Sequence, residues 1–203
     1  GDSSDVQEQL QDVQHIQANE SAFAAILRDG SVVAWGGPDA SGDASRVQSK
    51  LKDVRQIQAT PSEFTAILGN GSLVYWDYSE WSGGTVDVQE QLQDVEDVQA
   101  SESAFAAILR DGSVVAWGDA SSGGDSSGVQ EKLKDVRHIQ RTERAFGAIL
   151  GDGCVVAWGD PDYGGDASDV QGQLQNVHHI QANDSAFAAI LRNGSAVSWG
   201  DIF

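Results

Sequence analysis

The sequence predicts an all-β fold, a five-bladed β-propeller, on three observations. A unit of 41 residues recurs five times without insertion or deletion, and periods of this length are typical of propellers and other repeat arrays. Each copy places Asp-Gly or Asn-Gly between two apolar runs, which is the strongest short-range signal for a β-hairpin. Finally, the chain begins with the segment that its last copy lacks.

The repeat is fixed by residues that recur at a constant step of 41 positions. The units begin near residues 12, 53, 94, 135 and 176. The tryptophan of each "WG" pair keeps the same step, at Trp35, Trp76, Trp117, Trp158 and Trp199. Near-identical units indicate an architecture of equal parts in a single domain, residues 1–203.

Each unit contains three predicted strands, which in the first copy read "DVQHIQA", "SAFAAIL" and "SVVAWG". The turns between the second and third strands are Asp29-Gly30, Asn70-Gly71, Asp111-Gly112, Asp152-Gly153 and Asn193-Gly194. Both faces of the hairpin are apolar, with large residues on one face and small ones on the other. We therefore expect sheets that stack face to face around a ring.

The segment of the type "SSDVQEQLQ" has two interpretations. Val6 and Leu10 are four residues apart behind Ser and Asp, which fits a short helical turn, but the spacing also fits an outer strand. We favour the outer strand, because strand pairing closes a ring most simply. The fifth copy stops at "WGDIF", so residues 1–11 are expected to complete it and close the ring.

Composition limits the partners. The chain carries 31 acidic and 12 basic residues, for a formal net charge of −19. A surface this negative repels phosphate backbones, so we expect no nucleic-acid partner. No apolar run approaches the roughly 18–20 residues of a membrane span, and we expect no membrane insertion. A protein with a basic surface is the favoured partner, bound by a monomer or by a subunit of a larger assembly.

The repeat order "V..I.A...AFAAIL.DGSVVAWG" resembles the repeat of the RCC1 (regulator of chromosome condensation) family. The resemblance covers every copy and is most specific in "DG.VV.WG". It implies a propeller, usually of seven blades, whose N-terminal segment completes the last blade. The family's "GQLG" is replaced here by loops such as "GDASSGGDSSG", and no inserted element resembles the one that acts on a small GTPase. The resemblance implies a binding scaffold and transfers no active site.

Catalysis requires unlike groups that converge, whereas near-equal repeats present the same group five times, so we expect no enzyme and no cofactor. Cys154 is the only cysteine, which excludes an intrachain disulfide framework and any multi-cysteine metal site. If the first strands line a central channel, one polar position would form a ring: His15, Gln56, Asp97, His138 and His179. Solvated or hydrogen-bonded side chains explain this ring better than a metal ion does.

Two surfaces are candidates for partner binding. The loops after the third strands carry equivalent aspartates that would lie on one rim: Asp2, Asp43, Asp125 and Asp166. The second repeat departs from its sisters in the loop "YWDYSEW", where Tyr75, Tyr78 and Trp81 are typical of aromatic anchors. We interpret the chain as a non-enzymatic scaffold for protein–protein interaction. The alternative is a multivalent glycan-binding lectin, in which five similar pockets multiply weak affinities.

Overall fold

The structure, a computed structural model, describes residues 2–37, 42–77 and 88–201 and consists of β-strands joined by turns. The first strands of the repeats are β1 (Val13–Ala18), β4 (Val54–Ala59), β7 (Val95–Ala100), β10 (Val136–Arg141) and β13 (Val177–Ala182). The second strands are β2 (Ala22–Leu27), β5 (Glu63–Leu68), β8 (Ala104–Leu109), β11 (Ala145–Leu150) and β14 (Ala186–Leu191). The third strands are β3 (Val32–Gly36), β6 (Leu73–Asp77), β9 (Val114–Gly118), β12 (Val155–Gly159) and β15 (Ala196–Gly200).

The strands form five three-stranded sheets, each with its second strand in the middle. The pairing of the second and third strands is antiparallel and places each repeat's phenylalanine opposite its tryptophan, as in Phe146 and Trp158. The two rings are stacked with their centroids 5.3 Å apart, and the other four pairs are stacked in the same way. The predicted all-β class and the three strands per 41-residue repeat are confirmed.

The chain divides into two compact units, residues 1–97 and 98–203. In the first unit, Ala24 and Ile26 of β2 pack in one cluster with Ile57 and Phe64 of the next repeat. In the second unit the same positions meet, among them Ile149 and Phe187. Small side chains on one sheet thus face large ones on the next, and within each unit the predicted face-to-face packing is confirmed.

A backbone hydrogen bond also joins consecutive repeats at the hairpin turn. The N–H of Val136 donates to the carbonyl of Gly112 over 2.9 Å, and Val177 donates to Gly153 over the same distance. Gly112 has φ +79° and lies so close to the next repeat that an added Cβ would be 2.9 Å from the Cα of Asp135. The glycine of the turn is therefore required by backbone conformation and by packing.

The expected outer strand is wrong. Residues 4–9, 45–50, 127–132 and 168–173 form turns, with a 3₁₀ turn at Gln130–Lys132, so the helical alternative is closer. The segment attaches to the edge of the preceding sheet through a side chain rather than a backbone ladder. The amide of Gln130 donates to the carbonyl of Val114 over 2.9 Å, and Leu133 is buried beneath the turn. Closure of a ring by residues 1–11 is not confirmed and stays a prediction.

Within the described residues, no helix is long and apolar enough to cross a bilayer.

Candidate functional site: the acidic rim

Three of the predicted rim aspartates, Asp43, Asp125 and Asp166, follow third strands, and Asp2 lies before β1. The strand β12 runs from the Asp152-Gly153 turn to Gly159, so the hairpin turn and the loop after the strand lie at its opposite ends. Equivalent loops carry Asp2 and Asp43 in the first unit and Asp125 and Asp166 in the second. We call these four residues the acidic rim. All four are solvent-accessible, and none is in the core of its unit.

Each rim carboxylate is held by the serine two residues later. Oδ1 of Asp125 accepts the backbone N–H of Ser127 over 2.8 Å, and Asp166 accepts the N–H of Ser168 over the same distance. Hydrogen bonds from the backbone and hydroxyl of these serines lower the pKa of both aspartates below its ordinary value. Because the bonds favour the charged form, the rim keeps its charge at a pH where free aspartates begin to lose theirs.

Asp2 and Asp43 in the first unit have the same arrangement. The backbone N–H of Ser45 donates to Asp43 over 2.8 Å, and the N–H of Ser4 donates to Asp2 over 3.0 Å. Hydrogen bonds from the serine hydroxyl and backbone lower the pKa of each carboxyl. The rim is thus a repeated local structure rather than a set of freely moving side chains.

Two 3₁₀ turns in the second unit add further aspartates to the same loops. Asp119 caps the turn Ala120–Ser122 and Asp160 caps the turn Pro161–Tyr163. The backbone N–H of Ser121 donates to Asp119 over 2.7 Å. Gly123 and Gly164 end the turns in the left-handed conformation, so each loop has a defined shape.

A cavity of about 780 Å³ opens beside the second of these turns. Four carboxylates line it, those of Asp162, Asp166, Asp169 and Asp201. Tyr163 and Trp199 contribute aromatic surface, and none of its lining residues is Lys or Arg. Such a cavity favours a cationic group, which gains from the carboxylates and from the aromatic face.

Sequence reasoning missed Tyr163 and its neighbour Arg144. The guanidinium of Arg144 lies over the ring of Tyr163, 5.2 Å from the centroid, and its Nε donates to Oε2 of Glu102 over 3.2 Å. Arg144 is thus a cation next to the Pro161–Tyr163 turn, and its charge is already paired with that of Glu102. Tyr163 occupies the place that Ser122 has one repeat earlier, and this size difference was the available signal.

The structure tests the aromatic loop of the second repeat only in part. Tyr75 is not in a loop but in strand β6, opposite Thr65, and it is half-buried. Tyr78 and Trp81 lie outside the described residues. The proposed aromatic surface therefore stays a prediction.

The predicted polar ring is brought together at one place in the first unit. Nε2 of Gln56 donates to Oδ1 of Asp97 over 2.8 Å. In the second unit, His138 lies 3.3 Å from Nε2 of Gln140 and His179 lies 2.9 Å from Nε2 of Gln181. His15 is exposed. Gln56, Asp97, His138 and His179 therefore have hydrogen-bond partners, while a ring around an axis stays a prediction.

No group of three or more His, Cys, Asp or Glu side chains among the described residues could hold a metal ion. Cys154 replaces a serine in its hairpin turn, and its backbone N–H donates to Asp152 just as that of Ser113 donates to Asp111. Desolvation raises the pKa of the Cys154 thiol, so this thiol is less reactive than a free one.

The lowered pKa values predict the acid response of the fold. Folded-state pKa values below the ordinary 3.8 contribute stability that is present above that pH and is lost as pH falls through the lowered values. We expect the melting temperature to vary little from pH 6 to about pH 4 and to fall below it. Thermal melts continued below about pH 4 should show a smaller fall for the triple variant Asp43→Asn, Asp125→Asn, Asp166→Asn. An equal fall would contradict the assignment to these carboxyls.

No family model and no curated protein matches the sequence. Solved structures do match. Prp20p from Saccharomyces cerevisiae, which is yeast RCC1, is 17% identical over 96% of this chain and 58% of its own, with a TM-score of 0.63. Human WBSCR16 is 15% identical over 93% of this chain and 61% of its own, with a TM-score of 0.60.

A third match is the CRINKLY WD40 ectodomain of the Arabidopsis thaliana receptor kinase ACR4, which is 14% identical over 93% of this chain and 63% of that chain, with a TM-score of 0.55. This chain thus spans about three fifths of the length of the proteins it matches. Identities this low show the fold alone. The fold of the repeated three-stranded sheets is therefore that of the RCC1-type β-propeller structures, as the resemblance of the repeat predicts.

Proposed function

We propose that this chain is a non-enzymatic scaffold whose acidic rim binds a basic surface on a partner protein. The observation that carries the proposal is the local fixing of Asp2, Asp43, Asp125 and Asp166, each by a hydrogen bond from the serine two residues later. Fixed charges with lowered pKa values attract a cation without reorganising. The net charge of −19 adds long-range steering toward a basic partner.

The fold is consistent with this role. Prp20p is described by its binding to Gsp1p and to histones, and in another structure it is bound by Kap60. Histones are strongly basic, so they are suitable probes for the rim of this chain. The proposal concerns the class of partner, a protein with exposed Lys and Arg, rather than any one of these proteins.

The test uses two triple variants that each remove three negative charges. The rim variant carries Asp43→Asn, Asp125→Asn and Asp166→Asn, and the control carries Asp29→Asn, Asp111→Asn and Asp152→Asn in the hairpin turns. The control is conservative because two sister turns already have asparagine, Asn70 and Asn193. Asp29 and Asp111 also accept serine hydrogen bonds that lower their pKa, so the variants differ mainly in location.

We expect the rim variant to bind purified core histones more weakly than the parent at low salt. Because exposed charge pairs are individually weak, loss of three of them should weaken binding by roughly 3- to 150-fold. Screening should shrink the difference as salt rises. Equal weakening by the hairpin control would mean that binding depends on net charge and not on the position of the rim aspartates. Binding of about five glycans per chain would favour a lectin instead.

Orientation of a one-to-one complex requires residues that differ between repeats. Tyr75, Tyr78 and Trp81 of the second repeat are proposed as an aromatic anchor, because large rigid side chains often dominate interfaces. In the histone measurement, Trp81→Ala should weaken binding by about 1–3 kcal/mol. Unchanged affinity would remove the anchor from the proposal and leave the rim alone.

A further inference from the structure

The sheet of the fourth repeat, within the second unit, ends in an edge strand. Its strand order is β10-β11-β12, so β12 (Val155–Gly159) pairs with β11 on one side only. The residues that follow β12 form turns instead of the expected outer strand. An edge strand carries backbone N–H and C=O groups with which a further strand can pair.

Two hydrogen bonds establish which backbone groups of β12 face outward. Leu150 N–H donates to the carbonyl of Cys154 across the hairpin, so Cys154 and every second residue after it face β11. The carbonyl of Val155 faces away from β11 and accepts the side-chain amide of Gln171 over 3.0 Å. Because the direction alternates along an antiparallel strand, the N–H and C=O of Ala157 also face outward. No described residue forms a hydrogen bond with either group of Ala157.

A cavity of about 800 Å³ opens along this edge. Its apolar lining includes Val129, Leu150, Val156 and the half-buried Ala157. A ligand that covered Ala157 without hydrogen-bonding to it would leave its N–H and C=O unpaired, which is unfavourable. An extended main chain supplies one donor and one acceptor at the required spacing, and its alternate side chains can enter an apolar cavity. The edge therefore fits a peptide strand better than a helix or an apolar small molecule.

A fixed negative charge lies at one end of the edge. Gly165 N–H donates to the carbonyl of Asp160, the residue after β12, so Asp166 lies just beyond the C-terminal end of this strand. Asp166 also lines the cavity, and hydrogen bonds from the backbone and hydroxyl of Ser168 lower its pKa. An added strand is therefore favoured when it carries a basic side chain at this end, and the net charge of −19 attracts such a segment.

We propose that the outer edge of β12 binds an extended segment of a partner protein as an added antiparallel strand, with a Lys or Arg of that segment against Asp166. One residue of the segment pairs with the N–H and C=O of Ala157, and its apolar side chains enter the cavity. An antiparallel segment runs from the Asp166 end toward Cys154, so its basic residue precedes its apolar residues.

Docking at this edge goes beyond the proposed function of the acidic rim and does not depend on it. The rim attracts a partner through side-chain charge, whereas an added strand is held by main-chain hydrogen bonds. A peptide whose backbone nitrogens are methylated keeps its charge and loses those bonds. Histone binding that is normal in a protein whose edge binds no peptide would overturn the added strand and leave the rim proposal intact.

The probe is the synthetic peptide Lys-Thr-Val-Thr-Val-Thr with a fluorophore at its C-terminus, titrated with the protein and followed by fluorescence anisotropy. Two further peptides carry N-methyl groups, one on the valine nitrogens and the other on the alternate threonine nitrogens. Because one edge of an added strand faces β12 and the other faces solvent, one of them should bind at least roughly 10-fold more weakly than the other. A peptide with Gln in place of Lys should bind several-fold more weakly at low salt.

Ala157→Pro tests the same hydrogen bonds from the side of the protein. It removes an outward N–H that the sheet does not use, which an edge strand tolerates, and we expect binding at least roughly 10-fold weaker. Ala116→Pro makes the equivalent change in β9 and is the matched control. At β9, serines replace Cys154 and Ala167 of the β12 edge, so this variant should bind the peptide like the parent.

Cys154 reports where the peptide binds in the unaltered protein, so the test does not depend on how the variants fold. This thiol lines the cavity and is the only one in the chain, and its alkylation by iodoacetamide should slow when the peptide is bound. Circular dichroism establishes that each proline variant is folded. The proposal is overturned if the parent binds no peptide, if the two methylated peptides bind equally, or if a bound peptide leaves the alkylation rate unchanged. Parent-like binding by folded Ala157→Pro overturns it as well.

Discussion

Replacement of Phe146 by alanine should lower the free energy of unfolding by about 3–5 kcal/mol, the range for a buried aromatic residue. Phe146 is 0% accessible, stacks on Trp158 and belongs to a core cluster with residues of the preceding sheet such as Ala106 and Ile108. Truncation removes the stacked pair and leaves a cavity between two sheets. Chemical denaturation followed by tryptophan fluorescence measures the loss.

Phe23→Ala is the matched control. Phe23 stacks on Trp35 with the same 5.3 Å separation but is half-buried, so its truncation removes the stacked pair without opening an enclosed cavity. We expect a loss of about 1–2 kcal/mol, because less apolar surface is buried at this position. Equal losses in the two variants would mean that packing between sheets adds little to the stability of the second unit.

The strands were predictable because their signals are local and recur. Asp152-Gly153 demands a hairpin turn by its backbone preferences alone, and the constant step of 41 residues applies that conclusion to every copy. The segment after the third strand was not predictable in the same way. Val6 and Leu10 fit either a helical turn or a strand. The hydrogen bond that attaches this segment to the preceding sheet joins Gln130 to Val114, which are 16 positions apart in the sequence.

The acidic loops of the site could also be anticipated, because any residue just after a third strand must lie at that end of its sheet. Their charge state could not. The pKa of Asp125 is lowered by Ser127, and aspartate–serine spacings of this kind are too common in loops to single out one pair. Arg144 and Tyr163 are 19 positions apart in the sequence and come into contact only in the folded chain. Contacts of this kind depend on the tertiary path of the chain.

Packing between repeats and recognition of a partner place different demands on the sequence. Every sheet must accept its neighbour, so the packing residues are kept nearly equal, while selective recognition depends on what differs between copies. Tyr163 and Tyr75 are such differences, and both are near or within third strands. These two differences thus lie in or just after third strands, close to the loops that carry the rim aspartates.

Replacement of Gly112 by alanine should destabilise the fold by about 2–3 kcal/mol, and the same change at Gly194 by only about 1 kcal/mol. Both glycines have positive φ, +79° and +87°, so the conformational cost is the same. They differ in surroundings, because a Cβ on Gly112 would lie 2.9 Å from the Cα of Asp135, whereas nothing lies within 4 Å of one on Gly194. Denaturant titration in dilute solution measures both, with Gly128→Ala as a control in open space. The excess loss at Gly112 is then the cost of forcing two repeats apart, and equal losses would contradict a tight contact between turn and following strand.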